Sequence, residues 1–134
     1  MKLVGGLKVW FAELLEGTPV SIEIRPYLLH VLTKTSFDGL EKDRSVVLAF
    51  VDANRFSDHQ NIGDFAVWMS SFKQGYLNQS VIESCGRQAY HQCYIQLHRR
   101  VTVYEMMADE LPVVTREIHI RLNDELTTHV FAEA

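Results

Sequence analysis

Leu7, Trp10, Phe11, Leu14 and Leu15 stand at i, i+3, i+4, i+7 and i+8, which is one apolar stripe along an α-helix. Lys8, Glu13 and Glu16 lie mostly off that stripe. Gly17 is a natural stop after the last turn and Pro19 cannot continue a helix. The spacing therefore predicts a short amphipathic helix over roughly residues 7 to 16. Two aromatics on so short a stripe need a large apolar surface to pack on, either the protein's own core or a partner.

A second stripe of the same kind follows. Ile62, Phe65, Ala66, Met69 and Phe72 recur at helical spacing, with Trp68 beside them to widen the face. Asn61 and Asp64 read as a variant capping box that starts this helix, and Gly75 as its stop. Ser80 and Glu83 form a further Ser-x-x-Glu box ahead of Ile82, Cys85, Gly86, Ala89, Cys93 and Leu97. The middle of this third stripe is small, so a neighbouring element can approach closely.

Elsewhere the period looks closer to two. Val20, Ile22 and Ile24 alternate with polar residues, and Pro26 ends the run or marks an edge. At residues 28–35, Leu28, Leu29, Val31 and Leu32 suit a helical turn while Val31-Leu32-Thr33 suits a strand; the strand, pairing back on the first, is the favoured reading. Residues 36–44 read as a polar loop centred on Asp38-Gly39. The continuous apolar run at residues 45–51 reads as a central strand covered on both faces. From Tyr94 onward the third helix gives way to an alternating stretch, although no Gly or Pro marks the break. Val114, Ile118, Ile120 and Leu122, then Leu126, Thr128, Val130 and Ala132, read as a hairpin. Its three-residue loop, 123–125, sets apolar side chains opposite one another. The expected fold is α+β: one domain over residues 1–134, ordered α-β-β-β-α-α-β-β-β. Two to three helices pack on one face of a largely antiparallel sheet.

With 134 residues, the chain is long enough to build a core without disulfides. Cys85 and Cys93, the two cysteines, are expected to be free thiols in a reducing cytoplasm. The first ten residues are broken by Lys8 and lack a cleavage pattern, so they read as mature protein rather than a leader. No apolar run of about 18 residues occurs, and no membrane partner is expected. A formal net charge of −4 disfavours sequence-independent nucleic-acid binding.

Four groups of residues carry candidate chemistry. Asp52, Asn54, Asp58 and His59 lie in one short stretch, where carboxylates and a histidine suit a divalent cation. Phe56 stands where an EF-hand loop needs a ligand, so that motif fails. The bland alternative is a solvated loop. His119 and His129 would face each other across the predicted hairpin, where a pair of imidazoles can clip a metal. Otherwise they are two polar residues on an exposed face. Arg87, Arg99 and Arg100, with His91, His98, Tyr90, Tyr94 and Tyr104 interleaved, have the composition of a phosphate or single-strand platform. An ordinary solvated helix face has the same composition. Cys85 and Cys93 share the apolar stripe and read as inert core thiols. No phosphate-binding glycine loop or nucleophile elbow occurs, and no cofactor is implied.

The leading expectation is a non-enzymatic binding or accessory protein. Seven Phe, five Tyr, two Trp and four Met are many for the length. Trp10, Phe11, Trp68 and Phe72 are therefore expected to supply an interface or an apolar ligand pocket, most simply between two copies of the chain. The alternative is a small metal-assisted hydrolase or phosphoryl-processing enzyme using Asp52, Asp58 and His59.

Overall fold

The computed structural model describes residues 3–34, 37, 40, 45–72 and 78–133, with side chains described for 6, 8–34, 37, 40, 45–72 and 78–124. Among them every regular element is helical. The order is α1 (Leu3–Glu16), a 3₁₀ turn (Ile22–Ile24), α2 (Arg25–Leu32), α3 (Val46–Asp52), α4 (Phe56–Phe72), α5 (Gln79–Gln96) and α6 (Thr102–Glu133).

Helices α4, α5 and α6 form the centre. Ala66 meets Gly86, and Gly63 meets Tyr90, so α4 and α5 run antiparallel. A Cβ on Gly86 would lie 2.4 Å from that of Ala66, and one on Gly63 would lie 2.6 Å from the Tyr90 ring. The two bare positions let the helix axes come together, as the small middle of the α5 stripe predicts. Helix α6 runs antiparallel to α5 and parallel to α4, tied by Arg87 to Ala108 and by His119 to Ser71. The core stripe of α6 is Tyr104, Met107, Ala108, Leu111, Val114, Thr115, Ile118 and Leu122. Helices α1 and α2 cover this trio, with Phe11, Leu15, Leu28, Val31 and Leu32 buried.

Among the described residues the expected α+β sheet is absent, and the strand readings fail for physical reasons. The strand read over 28–35 is mostly helix α2, where Leu28, Val31 and Leu32 are buried at three- and four-residue steps. Val114, Ile118 and Leu122 satisfy a four-residue helical step as well as an alternation. Ile120 separates the two: a strand would bury it with its neighbours, whereas it is 46% exposed. Asn123 and Asp124 are interior to α6 rather than a hairpin loop. At residues 20–24, Val20 and Ile24 are buried and Ile22 is exposed, which is turn geometry. Pro26 sits in the first turn of α2, where its missing N–H has no helical partner to lose. At residues 45–51, Ser45 accepts a hydrogen bond from the Leu48 N–H at 3.1 Å and caps α3. A short apolar run does not distinguish strand from helix by itself.

Two boundaries also move. Helix α4 starts at Phe56, and Asp58 rather than Asp64 is its capping acid, accepting from the Arg55 N–H at 3.2 Å. Helix α5 ends without Gly or Pro because His98 and Arg99 adopt left-handed φ values of 56° and 59°. The predicted loop at 36–44 and the stop at Gly75 fall outside the described residues, apart from Phe37 and Leu40.

Candidate functional site

Among the described residues, helix α3 carries three of the exposed large aliphatic side chains, close together in sequence. Its buried edge is Val46, with Phe50 packed 6.3 Å from the His59 ring of α4. Val47, Leu48 and Val51 fall within about 100° of the helical wheel. They are 45%, 60% and 72% exposed. The helix therefore has apolar residues on both faces, and among the described residues one of them packs within the chain. Asp52, at its C-terminal end, is its one charged residue.

The aromatics singled out in the sequence do come together, but within the chain. Trp10 stacks edge-on to Phe11, Phe11 meets Phe72 at 5.8 Å, and Phe72 meets Trp68 at 5.0 Å. Phe37 adds to this row at 5.9 Å from Trp68 and 5.4 Å from Phe65. The row joins α1 to α4. Phe11 is buried, while Trp10, Trp68 and Phe72 are half-buried. Trp10 also lines a cavity of about 360 Å³ with Glu13, Leu14, Arg121 and Asp124.

Asp64 organises a polar cluster in the core. Its Oδ1 accepts from the Tyr27 hydroxyl at 2.6 Å and from the Tyr90 hydroxyl at 2.7 Å, and its Oδ2 pairs with Lys34 Nζ at 3.0 Å. Tyr104 stacks on Tyr27 at 5.6 Å and receives a hydrogen bond from Gln60. Burial, then the charge of Asp64, pushes both the Tyr27 and Tyr90 phenols well above the ordinary value. The same two causes push the Cys93 thiol up to about 12. These groups are poor proton donors or nucleophiles near neutral pH. The cluster pins α2, α4 and α5 together. Asp64 is thus a core residue in the middle of α4 and not the helix cap that its spacing from Asn61 suggests. Its position among Phe65, Ala66 and the small Gly63 is the local signal that it points inward.

Asp52, Asp58 and His59 do not converge. Asp52 closes α3, Asp58 turns back to cap α4, and His59 is buried under Phe50. Burial lowers the His59 pKa against the opposing effect of Asp58, and among the described residues its Nδ1 has no hydrogen-bond partner. Backbone hydrogen bonds, led by that from Arg55, lower the Asp58 pKa. His119 and His129 both belong to α6, ten positions or about 15 Å apart along the axis; the side chain of His129 is outside the described residues. His119 Nδ1 lies 2.8 Å from the Ser71 carbonyl oxygen, which only accepts, so Nδ1 carries the proton.

The basic residues divide as well. Arg87 lies on α5 facing α6, in a groove of about 400 Å³ lined by Glu83, His91 and Asp109 among others. Arg99 and Arg100 are at the far end of α5, exposed in the turn to α6. Cys85 and Cys93 are buried free thiols.

Among the described residues, no group of three or more His, Cys, Asp and Glu could hold a metal ion, and no helix is long and apolar enough to cross a membrane. No protein-family model matches the chain, and no curated protein or solved structure is significantly similar to it.

Proposed function

We propose that this chain is a non-enzymatic binding protein that docks a protein partner on the exposed face of α3, and that a second copy of the chain is such a partner. The observation carrying this reading is the outward set Val47, Leu48 and Val51 on a helix whose inner edge is already anchored. Removing a large aliphatic side chain from water contributes about 1.5–3 kcal/mol, which favours covering such a face. A face without charges is self-complementary across a two-fold axis, since apolar meets apolar with no need for opposite charges. The sealed Asp64 cluster supports a binding role over catalysis, because its phenols and thiol are locked in their protonated forms. Two free thiols fit a reducing cytoplasm.

Light scattering on the whole chain tests the reading. A mass near twice 15.4 kDa at micromolar concentration is expected. The double substitution Leu48→Glu, Val51→Glu should return the mass to a monomer with unchanged helical content. A wild-type monomer at every concentration would overturn the self-association.

A further inference from the structure

The turn between α5 and α6 points to a second docking site, for an acidic segment of a partner protein, and it does not rest on the α3 reading. His98 and Arg99 are the non-glycine residues with positive φ among the described residues, at 56° and 59°. That conformation crowds Cβ against the carbonyl oxygen and is the usual place for glycine at a helix end. The turn itself is well made in the backbone: the Arg99 N–H reaches the Tyr94 carbonyl at 2.9 Å and the His98 N–H reaches that of Ile95 at 2.9 Å. Glycine would make the same bonds without strain. What glycine would not supply is charge.

His98, Arg99 and Arg100 are consecutive and exposed. None of their side chains makes a hydrogen bond or ion pair among the described residues. The strain is therefore not offset by a side-chain hydrogen bond or ion pair among the described residues; the Arg99 charge acts on the nearby Tyr94 phenol, whose environment is dominated by other groups. Ile95 and Val101, exposed on either side, frame the three basic side chains with apolar surface. Gln96 Nε2 donates to the Asn54 carbonyl at 3.2 Å and fixes this end of α5 against the α3–α4 junction, so the patch sits on a rigid base. Carboxylates set among aliphatic side chains match this surface, with arginine forks for the acids and Ile95 and Val101 for the apolar groups. Nucleic acid fits less well, because a run of phosphates uses the arginines but offers no aliphatic group to Ile95 and Val101.

The test is an amide-resolved NMR titration of the whole chain with a short peptide of alternating Glu and Leu. Parallel titrations use a Lys/Leu peptide, a single-stranded RNA oligomer and vesicles of phosphatidylserine in phosphatidylcholine. The Glu/Leu peptide should shift the amides of residues 95–101, with affinity falling severalfold as salt shortens the screening length. The double variant His98→Gly, Arg99→Gly should lose that response and melt a few degrees higher, since it relieves the strain. A merely structural turn would keep the peptide shifts unchanged. The proposal is overturned by no response at residues 95–101, by an equal response to the Lys/Leu peptide, or by a stronger response to RNA or vesicles. A variant that melts no higher than wild type would equally remove the argument from strain.

Discussion

Arg87 Nε donates to the carbonyl oxygen of Ala108 at 2.9 Å, and that oxygen is the acceptor that Pro112 leaves without its helical partner. In an uninterrupted helix the N–H of residue 112 would bond to it; proline has none. An arginine on α5 thus completes the backbone of α6, which lets a helix of 32 residues continue through a proline. Arg87→Met should lower stability by about 0.5–1.5 kcal/mol, because it removes the hydrogen bond to a part-buried carbonyl. Pro112→Ala should restore the native bond and raise stability. In the Pro112→Ala background the loss from Arg87→Met should be smaller, and urea denaturation of the four proteins measures that coupling. Additive effects would show that Arg87 and Pro112 act independently.

The Asp64 cluster makes the protein sensitive to alkali. Tyr27 and Tyr90 have folded pKa values above the ordinary 10.0. The unfolded chain therefore loses these protons first as pH rises. Stability from this source is complete below pH 10 and declines above it, by up to about 1.4 kcal/mol per pH unit for each phenol. Urea midpoints should fall more steeply above pH 10 in wild type than in Tyr27→Phe. Equal slopes would place Tyr27 outside the linkage. Asp64→Asn should destabilise at neutral pH by about 3 kcal/mol, since it removes the charge that Lys34 and both hydroxyls address.

His59 works in the opposite pH direction. Burial lowers its folded pKa below the ordinary 6.5, so the unfolded chain takes up the proton first as pH falls. The stability it contributes is present above about pH 6.5 and declines below it, by no more than about 1.4 kcal/mol per pH unit. Phe50 rests on this ring, which couples the loss to α3. Hydrogen exchange should show the amides of α3 losing protection between neutral and mildly acidic pH. In His59→Phe the acid side of the profile should be flatter; an unchanged profile would assign the acid loss to other groups.

The helices that could be read from the sequence were those with large residues at mixed three- and four-residue steps: α1, the second half of α4, and α5. The stripes of Phe11, Phe65 and Cys93 are core as their spacing implies. Helix α6 was hidden because four-residue steps are also even steps, so Val114, Ile118 and Leu122 satisfy both periods. The stretch that decides it, Tyr104 to Leu111, contains Met107, Ala108 and Leu111 at pure helical spacing. Helix α3 was hidden for another reason: its outer face is apolar, so no polar residue reveals the period. The apolar outer face that leaves the period of α3 ambiguous is the same property that makes α3 a docking candidate. That Trp10, Phe11, Trp68 and Phe72 lie on helical stripes is legible in the sequence; that they pack on one another within the chain is not, since it depends on how α1 crosses α4. The link from Arg87 to Ala108 could not be seen, since it requires knowing that α5 and α6 lie side by side.

Glycine substitutions separate helix propensity from helix packing. Gly6 in α1 has open space where a Cβ would go, so Gly6→Ala should stabilise by about 0.5–1 kcal/mol through propensity alone. Gly86→Ala gains the same propensity, yet its Cβ would sit 2.4 Å from the Ala66 Cβ and 3.2 Å from Leu111 Cδ1. Neither the Ala66 methyl nor the helix behind it can turn away, so α4 and α5 must separate. That separation also draws Tyr90 away from Gly63 and loosens its hydrogen bond to Asp64. A net loss of about 1–3 kcal/mol is expected, larger than the propensity gain. Thermal melts of the two variants should move in opposite directions. If Gly86→Ala melted as high as Gly6→Ala, the close contact of α4 with α5 would not be what holds the central helices together.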